Sequence, residues 1–288
     1  MVPNICRDLL LLENQIPMFV LQKIYDITTT FDDEATDPLN KLALRFFQPL
    51  RPGKDKLEEH VLNTIEKQKH PHLLALFHST CHNSPGNPNA SVQTTKCSCL
   101  KSDNLGKYEK IPGKGWVHNA KTLTYAGVQF ERKSGNFLDI EYKNRKLKIP
   151  TLFIDEGTST LLRNLIAYEQ SDGSASPYFS CLAVFLDSIV DTVDDINILR
   201  RAGIIKQAKG GDQEVVSLFN SLTRGVEIDM DDCYITKQIQ DINRRCRSHE
   251  NIARFRRYLA AVNFTVFNRT YTSTILTMFS IYYLVKNN

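Results

Sequence analysis

Hydrophobic and polar residues follow one another along most of this chain with the spacing of an α-helix. Apolar positions that recur three and four residues apart predict helices with one buried face. The first such stretch runs from Arg7 to Thr28 and is interrupted at Pro17, which suits the start of a second helix. Further helices are predicted over residues 39–47, 57–67, 72–79, 119–126, 159–170, 178–196, 212–222, 231–247 and from 251 to the end.

A short region in the middle of the chain has the two-residue period of β-strands instead. Residues 128–132, 137–142 and 146–149 alternate apolar and polar side chains, with turn residues between them. Since consecutive short strands usually pair as neighbours, the pattern predicts an antiparallel three-stranded β-meander with one apolar face. The predicted fold class is therefore mainly α with this small meander (α+β), followed by an apolar C-terminal helix.

Composition divides the chain without changing this picture. The 288 residues are 42% apolar and 24% charged, as in ordinary globular proteins. We expect an N-terminal helical part (1–80), a flexible linker rich in Asn, Ser, Pro and Gly (81–115), a part with the β-meander and helices of the same domain (116–262), and a tail (263–288). The net charge of +4 is too mild to indicate nucleic-acid binding. The seven cysteines lack the spacing of a small disulfide-stapled fold.

The most unusual stretch is a run of leucines followed by a polar triplet, an isoleucine and a proline. Its residues are Leu9, Leu10, Leu11, Leu12, Glu13, Asn14, Gln15, Ile16 and Pro17. We expect the leucines and Phe19 to lie in the core, and Asn14 and Gln15 to cap the helix end near Pro17. Two later stretches, from Phe185 to Ile205 and from Glu214 to Asn220, strengthen the pattern. Together the three stretches resemble a plant family known as domain of unknown function 247.

The resemblance implies several properties that the residues alone do not. Family members are expected to be largely helical, with a membrane segment at the C-terminus. They usually carry a long segment before the leucine run, so this chain resembles an N-terminally shortened member. Some members have been implicated as pollen-side determinants of grass self-incompatibility, so the resemblance implies a role in recognition or signalling.

Four aspartates suggest one catalytic alternative. On a continuous helix they would share one side, where carboxylates can hold Mg²⁺ against a diphosphate. Because Leu182, Phe185 and Ile189 form the opposite, apolar stripe, we expect the aspartates to form a solvated face instead. The alternative function is a helical Mg-dependent enzyme using Asp187, Asp191, Asp194 and Asp195.

A cluster of histidines and cysteines suggests a zinc-ordered binding module as a further alternative. Its residues are His78, Cys81, His82, Cys97 and Cys99. Thiolate and imidazole are suitable zinc ligands, but the spacing matches no standard structural finger. The chain also lacks a phosphate loop, a GxSxG elbow and an HExxH motif. We therefore predict no catalytic residue, no metal, no cofactor and no small-molecule substrate.

The C-terminal stretch from Tyr271 to Val285 contains no charged residue. With a few flanking residues it approaches the roughly 20 residues that cross a bilayer, and a buried helix explains the composition equally well. The resemblance favours a single spanning pass, in the plasma membrane or an endomembrane. The apolar residues of this segment are Tyr271, Ile275, Leu276, Met278, Phe279, Ile281, Leu284 and Val285.

Arginines before this segment favour a cytosolic main domain, whereas Asn-x-Ser/Thr triplets at Asn89, Asn263 and Asn268 point the other way. The sequence thus predicts a non-enzymatic, membrane-associated plant protein that acts through a protein partner, with no role for nucleic acid.

Overall fold

The structure is a computed structural model. It describes residues 2–29, 37–53, 56–57, 59–66, 68–81, 116–207 and 211–249. The chain divides into two compact units, Met1–Asn243 and Arg244–Asn288. Of the second unit the structure describes residues 244–249, which are helical. The predicted linker falls outside the described residues except for Cys81, and the predicted tail falls outside them altogether.

The first unit is built mainly from short helices. They are α1 (Val2–Asp8), α2 (Met18–Thr29), α3 (Leu39–Phe47), α4 (Glu59–Glu66), α5 (Leu73–Ser79), α6 (Ala120–Tyr125), α7 (Thr158–Ser171), α8 (Tyr178–Ile189), α9 (Val193–Arg201) and α10 (Asp212–Leu222). Short 3-10 helices cover Leu12–Asn14, Gln48–Leu50 and Met230–Asp232, and residues 236–243 are helical. The predictions for residues 39–47 and 212–222 are confirmed to the residue, and α2 begins directly after Pro17 as expected.

Polar side chains determine where several of these helices begin. The Asn119 side chain accepts a hydrogen bond from the backbone N–H of Thr122 at 3.0 Å, at the start of α6. His72 does the same for α5, since its Nδ1 accepts from the backbone N–H of Ala75 at 3.1 Å. These bonds satisfy N–H groups that have no partner within the helix, which fixes the first turn.

The strands form two small sheets. In the first, the order is β1 (Gln129–Lys133), β3 (Lys146–Pro150), β2 (Glu141–Lys143). β2 pairs with β3 antiparallel, but β1 pairs with β3 in parallel. In the second, β4 (Leu152–Ile154) pairs in parallel with β5 (Ile205–Gln207). The sheet is therefore mixed, and the predicted antiparallel meander was wrong.

The connection between β1 and β2 explains the error. Phe137, Leu138 and Ile140 are 3 to 5% exposed, so this segment packs into the core and does not turn back along β1. Asn136 holds it there, because its side-chain oxygen accepts from the Leu138 N–H and its amide donates to the carbonyl of Cys81. The chain then turns from β2 into β3, and β3 lies between β2 and β1. In this position it is antiparallel to β2 and parallel to β1.

The core lies where the helices converge on aromatic side chains. α7, α8 and α10 pack on one another, and α3 packs on α4 and α5. The ring centroids of Phe47 and Phe77 lie 6.2 Å apart in an edge-to-face arrangement that aromatic pairs favour. The largest fully buried aromatic side chains are Phe47, Phe77, Phe179, Phe185 and Phe219.

No helix in the described part of the chain is long and apolar enough to cross a bilayer. Even α7, with 14 residues, rises only about 21 Å, against about 30 Å for the hydrocarbon layer. Residues 271–285, the segment predicted to span, lie outside the described residues. The structure does not support a single C-terminal membrane pass, and we withdraw that part of the fold-class and localisation predictions.

Candidate functional site

The leucine-rich signature forms a buried junction between helices. Leu10 is 1% exposed, whereas Leu9, Leu11 and Leu12 are half-buried, so the expectation of core leucines is correct chiefly for Leu10. The backbone N–H of Leu12 donates to Oδ1 of Asn164, on α7, at 2.7 Å. The signature therefore attaches the N-terminal segment to a helix about 150 residues away in the sequence.

Gln15, the last residue of the polar triplet, joins the leucine run to α5 through side-chain hydrogen bonds. Its side-chain nitrogen donates to the carbonyls of Leu9 and Leu11 at 3.0 and 2.6 Å. Its side-chain oxygen accepts from the backbone N–H of Leu74 at 2.9 Å, in the first turn of α5. Asn14 donates to the carbonyl of Asp8, the last residue of α1, at 3.0 Å. The expectation that they cap the helix end near Pro17 was wrong, because Asn14 caps the end of α1 and Gln15 caps the start of α5.

The four aspartates do not share one helix face, because the predicted helix breaks between Ile189 and Val193. Asp187, on α8, is 4% exposed and accepts from the Thr223 hydroxyl at 2.9 Å. Asp195 is fully buried, so the expectation of a solvated face was wrong for both residues. The other two, Asp191 and Asp194, are exposed.

Asp195 is a helix cap. With Thr192 it forms a capping box at the start of α9, and its carboxylate also accepts from the Lys121 backbone N–H at 2.8 Å. Next to it, Asp194 pairs with the Lys121 ammonium at 2.8 Å, and that cation lowers the pKa of the Asp194 carboxyl. Among the described residues, no group of three or more acids, histidines or cysteines is arranged to hold a metal ion.

Only His78 and Cys81 of the proposed zinc ligands lie within the described residues. Cys81 is buried and its thiol donates to the Phe77 carbonyl at 3.4 Å. Nε2 of His78 lies 2.7 Å from Oε1 of Glu169, and both side chains are almost fully buried. Since an ionised carboxylate only accepts, Nε2 donates this bond. The other three ligands, His82, Cys97 and Cys99, lie outside the described part of the chain.

Glu169 is a buried polar centre that the sequence pattern did not reveal. Besides His78, its Oε1 accepts from the Phe179 N–H at 2.8 Å. Its Oε2 accepts from both the N–H and the hydroxyl of Ser180, each at 2.7 Å. The carboxylate thus caps the start of α8 from α7, where the helix dipole also favours negative charge. The available signal was a glutamate at helical spacing from Leu162, Leu165 and Ile166, at the end of the apolar face of α7.

Three phenols and one thiol near this carboxylate have raised pKa values. Burial raises the pKa of Tyr168 to about 12 and raises the pKa of Tyr178 and Tyr234 as well. A hydrogen bond between the two thiols, together with burial, raises the pKa of Cys181, and the same bond lowers the pKa of Cys233. A protonated phenol or thiol is a poor nucleophile, so the raised pKa values of the tyrosines and Cys181 suit a structural role.

The surface of α2 has the opposite character, because it leaves large apolar side chains in solvent. Phe19 is 75% exposed, although the pattern predicted it in the core. Ile24 and Ile27 are 55% and 58% exposed, and Ile16, just before the helix, is 46% exposed. We call these four residues the α2 apolar face.

Comparison with known proteins places the chain in a family. UPF0481 protein At3g47200 of Arabidopsis thaliana is 27% identical over 256 residues, which cover 84% of this chain and 51% of that protein. Putative UPF0481 protein At3g02645 of the same plant is 28% identical over 131 residues, which cover 44% of this chain and 25% of that protein. The chain thus spans about half the length of the first relative. No solved structure matches. The family described as DUF247, plant protein of unknown function, matches residues 1–285, which confirms the resemblance, and the chain belongs to this family.

Proposed function

We propose that this protein acts by binding another protein through the α2 apolar face, without catalysis. The observation that carries the proposal is the exposure of Phe19, Ile24 and Ile27, each more than half in solvent. Aromatic and large aliphatic residues grouped on one surface are typical of protein interaction sites.

The helix that carries this face is anchored on its other side. Met18 is 8% exposed and its backbone N–H donates to the Pro71 carbonyl at 2.7 Å. The Tyr25 hydroxyl donates to the Asp37 carbonyl at 2.6 Å. The helix therefore buries one side against the described part of the chain and exposes Phe19, Ile24 and Ile27 on the other side.

The spacing of the exposed residues indicates the kind of partner. Positions 19, 24 and 27 fall on the exposed side of α2, the arrangement by which amphipathic helices enter an apolar groove, and Ile16 lies just before the helix. We propose that α2 is inserted into such a groove on another protein. Complete burial of four side chains of this size, about half exposed at present, is worth about 4 to 7 kcal/mol. Burial of the apolar groove of the partner would add to this gain, so the total exceeds the lower estimates for the cost of association by a small margin, and we expect a weak, reversible complex.

The buried ionisable groups support a role without catalysis. The carboxylates of Glu169 and Asp195 accept hydrogen bonds from backbone N–H groups at helix starts, and the Asp187 carboxylate accepts one from the Thr223 hydroxyl. These carboxylates are engaged in hydrogen bonds that stabilise the fold. A catalytic carboxylate would instead have to face a substrate.

Site-specific photo-cross-linking tests the proposal. A benzophenone amino acid replaces Phe19 in the full chain, which is then irradiated in a plant cell extract. Tyr125 provides the matched control, because it is an aromatic residue of similar exposure, 71%, on a different helix. The captured protein is identified, purified and titrated with the unmodified chain and with the Ile27→Asp variant.

We expect one partner to be captured from position 19 and not from position 125. Its affinity should fall more than roughly tenfold in Ile27→Asp, since a charge would enter an apolar groove. Capture of the same proteins from both positions contradicts the proposal. Cross-links to a second copy of this chain contradict the assignment to a different partner.

A further inference from the structure

The surface also contains a basic cleft of about 480 Å³, which differs from the α2 apolar face in its charged lining. Among the described residues, its charged lining consists of Lys56, Arg132, Lys133 and Lys206 and includes no carboxylate. Ser134, Gly135, Thr151 and Phe153 complete most of the wall. The volume is in the range of small-molecule binding sites.

The cations come from three separate parts of the chain. Arg132 and Lys133 lie at the end of β1, Lys206 lies on β5, and Lys56 lies in the segment before α4. Convergence of like charges from distant segments opposes folding unless another interaction compensates for it. A ligand of opposite charge would supply that compensation.

Local contacts hold two of these side chains in place. The Lys206 ammonium lies 5.5 Å from the centre of the Phe153 ring, a cation–π contact. The stem of Arg132 packs over Gly203, because a Cβ at that glycine would lie 3.6 Å from its Cδ. Neighbouring residues therefore restrict the side chains of both Lys206 and Arg132.

Acidic partners in the described residues neutralise only one of the four cations. Lys133 pairs with Asp139 at 2.8 Å and with Glu141 at 3.1 Å. Within the part of the chain that the structure describes, no ion pair engages Lys56, Arg132 or Lys206.

We propose that this cleft binds a small anion that carries two or more phosphate groups. Arginine pairs with phosphate through two parallel hydrogen bonds, and lysines add point charges around it. The cleft is many times larger than one phosphate group, which favours a ligand with several charges. The formal charge of the whole chain, +4, is too mild for the extended basic surface that nucleic acid requires. This inference does not depend on the α2 apolar face.

Calorimetric titration of the full chain with pyrophosphate and with inositol hexakisphosphate tests the proposal. The cleft variant is Arg132→Gln with Lys206→Gln. The matched control is Lys23→Gln with Lys143→Gln, which removes the same charge from exposed residues that do not line the cleft. A second variant, Ser134→Glu, places a carboxylate in the wall of the cleft. Its control is Ser217→Glu, at an exposed position of α10.

We expect binding that weakens with salt. Affinity should fall at least roughly tenfold in the cleft variant and in Ser134→Glu, because each removes or opposes charge-assisted hydrogen bonds. Both controls should stay within about twofold of the unmodified chain, the limit expected of distant screened charges. Circular dichroism checks that each variant is folded.

Three results overturn the proposal. One is that neither probe binds the folded chain. Another is equal weakening in the cleft and control variants, which would mean that the whole surface charge attracts the anion. The last is tighter binding of a single-stranded oligonucleotide than of inositol hexakisphosphate. Ile27→Asp, which tests the α2 apolar face, should leave this binding unchanged, so the two proposals fail independently.

Discussion

Replacing Glu169 by glutamine should destabilise the fold far more than any exposed acid-to-amide change. The carboxylate receives bonds from the His78 ring, the Phe179 N–H, and the N–H and hydroxyl of Ser180. A glutamine keeps one accepting oxygen, but its NH₂ group can only donate. Whichever way the amide is turned, the backbone N–H of Phe179 or of Ser180 then faces another donor, and the His78 ring or the Ser180 hydroxyl must change from donor to acceptor.

The expected loss follows from those two bonds. A hydrogen bond to a charged group contributes about 1.5 to 3 kcal/mol, so the loss of two such bonds in Glu169→Gln should lower the unfolding free energy by about 3 to 6 kcal/mol. Solvent cannot offset the loss, because the Glu169 side chain is 0% exposed. The total stability of a domain is about 5 to 15 kcal/mol, so the variant should be marginally folded.

Urea denaturation followed by circular dichroism measures the effect. Glu227→Gln makes the same chemical change at an exposed position and should alter the unfolding free energy by less than about 0.5 kcal/mol. Ser180→Ala removes one of the donors and should cost about 1 kcal/mol, which gives a milder variant if Glu169→Gln does not fold. Equal urea midpoints for Glu169→Gln and Glu227→Gln would refute the reasoning that the buried carboxylate stabilises α8.

Three further predictions concern other positions. Asp195→Asn should lose about 2 to 4 kcal/mol in urea denaturation, because its oxygens accept from Lys121 and Thr192; a change below 0.5 kcal/mol would contradict this. Burial lowers the pKa of His72 below its usual 6.5, so its stabilisation is present above pH 6.5 and is lost as the pH falls through the folded-state value. Protonated Nδ1 can no longer accept from the Ala75 N–H, so the melting temperature should fall less steeply from pH 8 to 5 in His72→Asn than in the unmodified chain. The half-buried His70, whose pKa is also lowered by burial, should retain part of the slope, and identical slopes would exclude a contribution from His72. Arg145 has a φ of 64°, so Arg145→Gly should add about 0.5 to 1 kcal/mol and raise the melting temperature; a lower melting temperature would contradict this.

Helix positions were predictable because they depend on neighbours in the sequence. Pro17 marks the start of α2, and the bounds of α3 and α10 follow from apolar residues three and four positions apart. The hairpin between β2 and β3 was also readable, since Asn144 and Arg145 form a tight turn with positive φ at both residues.

Strand pairing was not predictable in the same way. The pattern of β1 is the same whether its partner lies parallel or antiparallel, because alternation only specifies which face is buried. The choice depended on Phe137, Leu138 and Ile140 entering the core, which kept β1 away from β2. The sequence pattern did not reveal the break between α8 and α9, because apolar residues continue at helical spacing across the capping box of Thr192 and Asp195.

The candidate sites show the same division. Aspartates in one segment suggested a joint site, but the fold assigns Asp187, Asp194 and Asp195 to separate structural bonds. The sequence pattern did not indicate a role for Glu169 or for the cations of the basic cleft, because their partners lie on distant segments. Phe19 was expected in the core, since periodicity marks an apolar face without stating whether anything covers it.

The order of residues by itself therefore determined the helical class, most helix bounds, the family signature and the tight turn of the hairpin. These features arise from interactions within a few residues, where spacing fixes which side chains meet. Only the tertiary structure decided the mixed sheet, the buried carboxylate that caps α8, the exposure of α2 and the convergence of cations at the cleft. Each of these depends on which distant segment fills the space beside a residue, and that is settled by packing the whole core at once.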